Sequence, residues 1–156
     1  MRISAFESPE LQATILAING MDLELKTQIR KATRSITEPE WTRELNAHAS
    51  TLMETRVLSQ TARVTVSNQN ITLKTGQLSR RMTGGSPLAS LTPAVEFGAN
   101  RNKVTKGRHT ARQFKKRNRK GYVAMPAAAD IIPRIASLWV QTVVRTFHEA
   151  LDKGVS

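Results

Sequence analysis

The chain of 156 residues contains no cysteine, which excludes a disulfide framework and any zinc site built from thiolates. Aromatic residues make up 4% of the chain and hydrophobic residues 39%, so the core that one copy can form alone is thin. A thin core is typical of subunits that bury part of their apolar surface against neighbours. The length itself fits a single domain over residues 1–156.

Acidic residues are missing from 101–120, where half of the positions are lysine or arginine. The ten cations of this basic segment are Arg101, Lys103, Lys106, Arg108, Arg112, Lys115, Lys116, Arg117, Arg119 and Lys120. The rest of the chain holds 14 basic residues against 12 acidic ones and is nearly neutral. This concentration of charge predicts an extended basic loop over 99–121, presented to a polyanion or to an acidic partner surface.

Three uses of the basic segment remain open from the sequence. Ten cations would neutralise phosphates and give strong, salt-sensitive, sequence-independent binding to nucleic acid. The segment could instead order on contact with an acidic groove of another protein, or stay a solvated charge run that aids solubility. Phe114 is its one aromatic residue, so base stacking of the kind that single-strand binders use is poorly supported.

A long apolar run free of charge is also missing. The first residues lack the apolar stretch of a secretory signal, because Glu7 and Glu10 interrupt it. The most apolar stretch, 131–147, contains Arg134 and Arg145, which would be costly in lipid. We therefore expect a soluble protein that is made in a cytoplasm and does not bind a membrane.

Helical periodicity dominates the first third of the chain. Ser8 followed by proline predicts the start of a first helix, and Gly20 favours a break after it. A second helix follows the break. The stretch from Thr37 to Glu40 has the pattern of a capping box, which predicts that a third helix begins there and runs to about Leu58.

The periodicity then changes from about 3.6 residues to two, which predicts strands. Residues 62–66 and 71–74 alternate around a turn and predict a β-hairpin. Residues 94–98 and 121–125 are expected to be further strands on either side of the basic segment. The predicted fold class is α+β: N-terminal helices, a small, mostly antiparallel sheet of about four strands, a long C-terminal helix, and a long basic loop inserted between two strands.

The last predicted element is a helix from roughly Ala127 to Leu151. Its apolar residues cover a wider arc than one partner surface needs. We expect the sheet to cover one side and another subunit the other, with Trp139, Val143 and Val144 in the subunit contact.

The sequence contains no recognisable catalytic motif: no nucleophile elbow, no HExxH and no Walker lysine. Glu44 and His48 are one helical turn apart and could form a ligand pair, although two exposed surface residues are the simpler interpretation. His109 lies among cations, which would repel a metal ion. We expect neither an enzyme nor a bound cofactor or metal.

Two short motifs and the order of the elements resemble a known family. The motifs are the VEFG sequence at 95–98 and the predicted strand–Pro–helix junction GYVAMPAA at 121–128. Together with the N-terminal helices and the hairpin, they resemble the small tail-component (tail-completion) family of long-tailed, siphovirus-type phages, with actinobacteriophage neck proteins as the nearest relatives. The density of positive charge in the insertion departs from many family members.

The resemblance implies a structural protein of the virion. Its members form a ring, often hexameric, at the head–tail junction, where it joins the tail tube to the head connector and leaves a channel for DNA. The implied partners are further copies of the chain, the neighbouring connector and tail-tube proteins, and DNA passing through. The layer of the neck stays open: tail terminator, completion protein or connector. The alternative is a free nucleic-acid-binding protein that uses 101–120 for phosphate contacts.

Overall fold

A computed structural model describes residues 1–4, 9–78, 80–81, 87–99, 104–105, 108–109 and 114–155. In chain order its elements are β1 (Arg2–Ser4), α1 (Pro9–Asn19), α2 (Leu23–His48), α3 (Leu52–Val57), a 3-10 turn (Ser59–Thr61), β2 (Arg63–Val66), β3 (Ile71–Lys74), α4 (Leu88–Phe97), β4 (Val104–Thr105), β5 (Arg108–His109) and α5 (Ala124–Val155). The α+β class is confirmed, and so is the break between the first two helices.

The main sheet is antiparallel, with the strand order β1-β3-β2. The predicted hairpin is present, and Val64 on β2 lies opposite Leu73 on β3. Both side chains are buried, as the alternating pattern requires. Strand β1 was not predicted, because three residues give too little periodicity to recognise. Within the described residues this sheet has three strands rather than about four, and β4 and β5 form a separate two-residue ladder.

Helix α2 continues through Pro39, which corrects the prediction of a third helix beginning at Thr37. Its buried side chains recur every fourth residue: Ile29, Thr33, Thr37, Trp41 and Leu45. This buried face continues on both sides of Pro39. The free energy gained by burying it therefore outweighs the loss of the backbone hydrogen bond that proline removes. The indole N–H of Trp41 also donates to the carbonyl of Lys74 at 3.1 Å and ties the helix to β3.

A capping box does exist, but it lies at Thr51 and begins the short helix α3. The Thr51 hydroxyl accepts from the backbone amide of Glu54 at 3.2 Å. In return the Glu54 carboxylate accepts from the amide of Thr51 at 3.0 Å. The residues from 41 to 58 therefore form two helices, with a break after His48, instead of one.

The two strands predicted on either side of the basic segment are both wrong. Residues 94–97 form the end of α4, and residues 121–123 lead into α5, which begins at Ala124. Short apolar runs of this length cannot be assigned to strand or helix by periodicity alone. The basic segment therefore connects two helices, not two strands.

Helix α5 is the centre of the fold and packs mainly against α2. Its side chains Ile131, Ile135 and Trp139 are buried in the core. By length and composition, Ala124–Gly154 would also be able to cross a membrane, with a mean hydropathy of 1.2 over its most apolar window. In that window 39% of the residues are buried, and this accounts for part of the composition, because a core helix needs the same residues.

Substitutions of Thr37 and Thr51 test which of the two threonines begins a helix. Thr37 is fully buried, and its hydroxyl has no hydrogen-bond partner among the described residues. Thr37→Val should therefore leave the free energy of unfolding unchanged or raise it by up to about 1 kcal/mol. Thr51→Ala removes a helix cap and should lower it by about 1 kcal/mol. Urea denaturation measures the free energy of unfolding of each variant. If Thr37→Val lowered it and Thr51→Ala did not, the helix start would lie at Thr37.

Candidate functional site

The Glu96 carboxylate lies at the N-terminus of α5 and joins the two helices that flank the basic segment in the sequence. It is fully buried at the end of α4. Its oxygens accept from the backbone amides of Val123, Ala124 and Met125 at 3.2, 2.8 and 2.9 Å. These amides are among those that a helix leaves without internal partners, and the positive end of the helix dipole favours a carboxylate there. A side chain 27 to 29 residues upstream thus caps the longest helix.

Two glycines allow the backbone to come this close. Gly98 has φ +72°, and a Cβ atom there would lie 2.3 Å from the carbonyl oxygen of Lys116. Gly121 has φ +78°, and a Cβ atom there would lie 2.2 Å from a carboxylate oxygen of Glu96. Both positions require a residue that accepts positive φ and has no side chain. The glycines of the two motifs noted in the sequence are therefore part of one structure.

The last seven residues of the basic segment are docked on this structure. The amide of Ala99 donates to the carbonyl of Lys115 at 3.0 Å, and the amide of Asn118 donates to that of Phe97 at 2.8 Å. The Tyr122 hydroxyl donates to the carbonyl of Lys116 at 2.6 Å. The expectation of one extended loop over 99–121 is therefore corrected for residues 114–121, which pack against the protein.

Lys115 fixes this docked stretch to α3. Its ammonium lies 2.6 Å from the carboxylate of Glu54, 2.7 Å from the Ser50 hydroxyl and 4.8 Å from the ring centre of Tyr122. Burial alone would raise the pKa of Glu54. Hydrogen bonds from Lys115 and Ser50, with the charge of Lys115, outweigh it and hold that pKa below its ordinary value. Lys115 thus has a structural partner within the chain.

The other predicted cations divide into two groups. Lys116, Arg117, Arg119 and Lys120 are exposed beside the N-terminus of α5, and we call these four residues the cationic ledge. Arg117 and Arg119 line a surface groove together with Pro93 and Phe97 of α4. The remaining predicted cations lie outside the described residues or have side chains that do: Arg101, Lys103, Lys106, Arg108 and Arg112. The backbone of Arg108 belongs to β5.

The predicted subunit contact on α5 is corrected for two of its three residues. Trp139 and Val143 are buried inside the chain, with 1% and 4% of their surface exposed. Val144 is 50% exposed, and Phe147 and Leu151 follow it on the same face with 44% and 50% exposed. We call these three residues the apolar stripe. It occupies the end of α5 opposite the cationic ledge.

Some of this site could not be read from the sequence. The role of Glu96 is not visible in the sequence, since a cap formed by a distant residue leaves no local pattern. Asp130 is a second example: its carboxylate lies 2.9 Å from Nε2 of His48 although 82 residues separate them. Glu44 lies near the same nitrogen, at 3.6 Å. The predicted pair of Glu44 and His48 therefore has a third member.

Comparison of the chain with models of protein families, with curated proteins and with solved structures finds no match. No relative therefore assigns a family or a role to the ledge or to the stripe.

The Glu96 cap should be among the largest single contributions to stability. Glu96→Ala leaves three amides without their charged acceptor and should lower the free energy of unfolding by at least about 3 kcal/mol. Glu96→Gln keeps one acceptor oxygen and should cost less. Glu149→Gln, an exposed change on α5, the helix that Glu96 caps, is the control and should stay within about 0.5 kcal/mol. A Glu96→Ala protein as stable as this control would contradict the cap.

The Glu54–Lys115 pair should appear in the pH dependence of stability. Because the folded-state pKa of Glu54 is lowered, its contribution is complete above the ordinary value of 4.5 and is lost as the pH falls through the folded pKa. Lys115→Gln should reduce the loss of stability below pH 4.5, measured by urea denaturation at several pH values. Lys120→Gln makes the same charge change on an exposed side chain and should keep the wild-type profile. Identical profiles for both variants would contradict the pairing.

Proposed function

We propose that the protein is a structural component of a phage virion. Copies form a ring, with a hexamer as the expected number, at the junction of head and tail. The ring joins the tail tube to the head connector and leaves a channel for DNA. The virion is its final location, and the host cytoplasm is where it assembles.

The observation that carries this proposal is the division of α5 into two exposed surfaces. Its N-terminus lies beside the cationic ledge, and its C-terminal half exposes the apolar stripe. An apolar face at regular helical spacing suits a contact with another protein, because its burial is favourable and non-directional. A separate cationic surface suits a polyanion or an acidic protein. A subunit that assembles around or beside DNA needs both.

The Glu96 cap connects the two motifs on which the proposed phage resemblance rests. The two motifs lie apart in the sequence, at 95–98 and 121–128. In the structure the carboxylate of the first accepts from the amides of the second. Their joint occurrence therefore has a physical reason, although both form helix ends instead of the strands that the resemblance implied.

Symmetry makes a partner for the ledge necessary. Rotation about a ring axis brings every copy of the four exposed cations to the same height, and the charges repel one another unless something negative lies nearby. In a neck ring that partner is DNA in the channel or an acidic surface of the adjacent ring. The cap holds the ledge in place, so little ordering entropy is lost when such a partner binds.

A free nucleic-acid-binding protein is the second candidate, and the four exposed cations favour it. Such a protein would bind DNA as a monomer, with an affinity that falls steeply as salt rises. A ring subunit would instead assemble through the apolar stripe. The two functions therefore differ in whether the apolar stripe is buried between subunits.

Sedimentation velocity at increasing protein concentration distinguishes them. The wild type should form a defined oligomer, by itself or when the adjacent neck protein is added, and Phe147→Asp should remain a monomer because it places a charge in the buried contact. Leu52→Asp is the matched control: it changes an apolar side chain that is 65% exposed, on α3, and should assemble normally. Tight DNA binding by a wild-type monomer, unaffected by Phe147→Asp, would favour the second candidate.

A further inference from the structure

Three side chains of the kinds that bind metal ions converge where the end of α2 meets the start of α5. Glu44 and His48 lie one turn apart on α2, and Asp130 comes from the second turn of α5. Nε2 of His48 is 2.9 Å from an Asp130 oxygen and 3.6 Å from a Glu44 oxygen. One ligand atom from each of the three residues lies within 4.8 Å of the other two.

These distances suit one ion held by all three side chains. Zn²⁺ lies about 2.0–2.2 Å from nitrogen and oxygen ligands, which puts two ligands of a tetrahedral ion roughly 3.5 Å apart. The 3.6 Å distance between His48 and Glu44 lies close to this separation. The 2.9 Å contact between His48 and Asp130 is a hydrogen bond, and it would have to lengthen by about half an ångström for both side chains to bind one ion. The Asp130 side chain is 62% exposed and Glu44 19%, so the carboxylate of Asp130 can rotate while the α2 pair is held more firmly.

Within the part of the chain that the structure describes, no cationic side chain contacts the two carboxylates of the cluster apart from His48 itself. Two carboxylates surround one imidazole, so the cluster is negative whether or not His48 carries a proton. Among the described residues, no lysine or arginine nitrogen lies within 4.0 Å of Glu44 or Asp130. Glu40, one turn earlier on α2, differs: it pairs with Arg43 and with Arg134 of α5.

We propose that Glu44, His48 and Asp130 form a binding site for a divalent transition-metal ion of the Zn²⁺ class. The set of one imidazole and two carboxylates favours such an ion over Mg²⁺ or Ca²⁺, which select oxygen ligands. Water completes the coordination on the exposed side of Asp130. The ion links the C-terminus of α2 to the first turns of α5 and so stabilises the packing that positions α5. This site is independent of the role proposed for the ledge and the stripe.

Titration calorimetry of the full chain with ZnCl₂ tests the proposal. The wild type should bind one Zn²⁺ tightly, and its melting temperature should rise by about 5 °C or more at a hundredfold excess of free ion over the dissociation constant. His48→Gln and Asp130→Asn should each weaken this binding by about tenfold or more, since each removes a ligand. Both changes are at least partly exposed, and circular dichroism confirms that the variants fold.

Two control variants distinguish binding at this site from nonspecific binding of Zn²⁺ elsewhere on the protein. Glu40→Gln removes a carboxylate of α2 that lies outside the cluster. His148→Gln removes an exposed histidine of α5 that also lies outside it. Both should bind Zn²⁺ as the wild type does. Wild-type affinity in His48→Gln, loss of binding in His148→Gln, or no binding by the wild type at millimolar Zn²⁺ would each overturn the proposal.

Discussion

The contact between the Glu96 carboxylate and the first amides of α5 is the constraint on which the rest of the structure depends. It fixes where the longest helix begins, and that helix supplies much of the core against α2. The same carboxylate is buried, so its desolvation must be offset by the three hydrogen bonds and by the helix dipole. Gly121 is needed for this contact, because a Cβ atom there would collide with the Glu96 carboxylate, and Gly98 is needed beside it, because a Cβ atom there would collide with the carbonyl of Lys116.

This contact also decides how the positive charge is displayed. Since the end of α4 and the start of α5 are joined, Ala99 and Gly121, which flank the basic segment, are held at one place on the surface. The last residues of the segment dock there, and Lys115 is paired with Glu54. Among the described residues of the segment, four cations are exposed beside the helix start, at the opposite end of α5 from the apolar stripe. A single long helix therefore keeps an electrostatic surface and a hydrophobic surface well apart.

The sequence predicted what depends on local periodicity. The hairpin, the break after α1 and the long C-terminal helix each carry a pattern over enough residues to be recognised. The strand predictions for residues 94–98 and 121–125 are wrong because five residues with only three or four apolar side chains fit a strand and a helix turn equally well. At Thr37 a capping pattern was present but was overridden, since α2 buries one continuous face on both sides of Pro39. Contacts between distant residues, such as Glu96 with Ala124 or His48 with Asp130, leave no local pattern to read.

The central claim is that one end of α5 forms the contact between subunits and the other end lies against a negatively charged partner. Electron cryomicroscopy of the assembled particle tests this claim most directly. The account predicts a closed ring in which Val144, Phe147 and Leu151 are buried between subunits. It also predicts that Lys116, Arg117, Arg119 and Lys120 face DNA or an acidic neighbouring ring. A ring held together by other surfaces, with the stripe in solvent and the ledge facing no negative group, would contradict it.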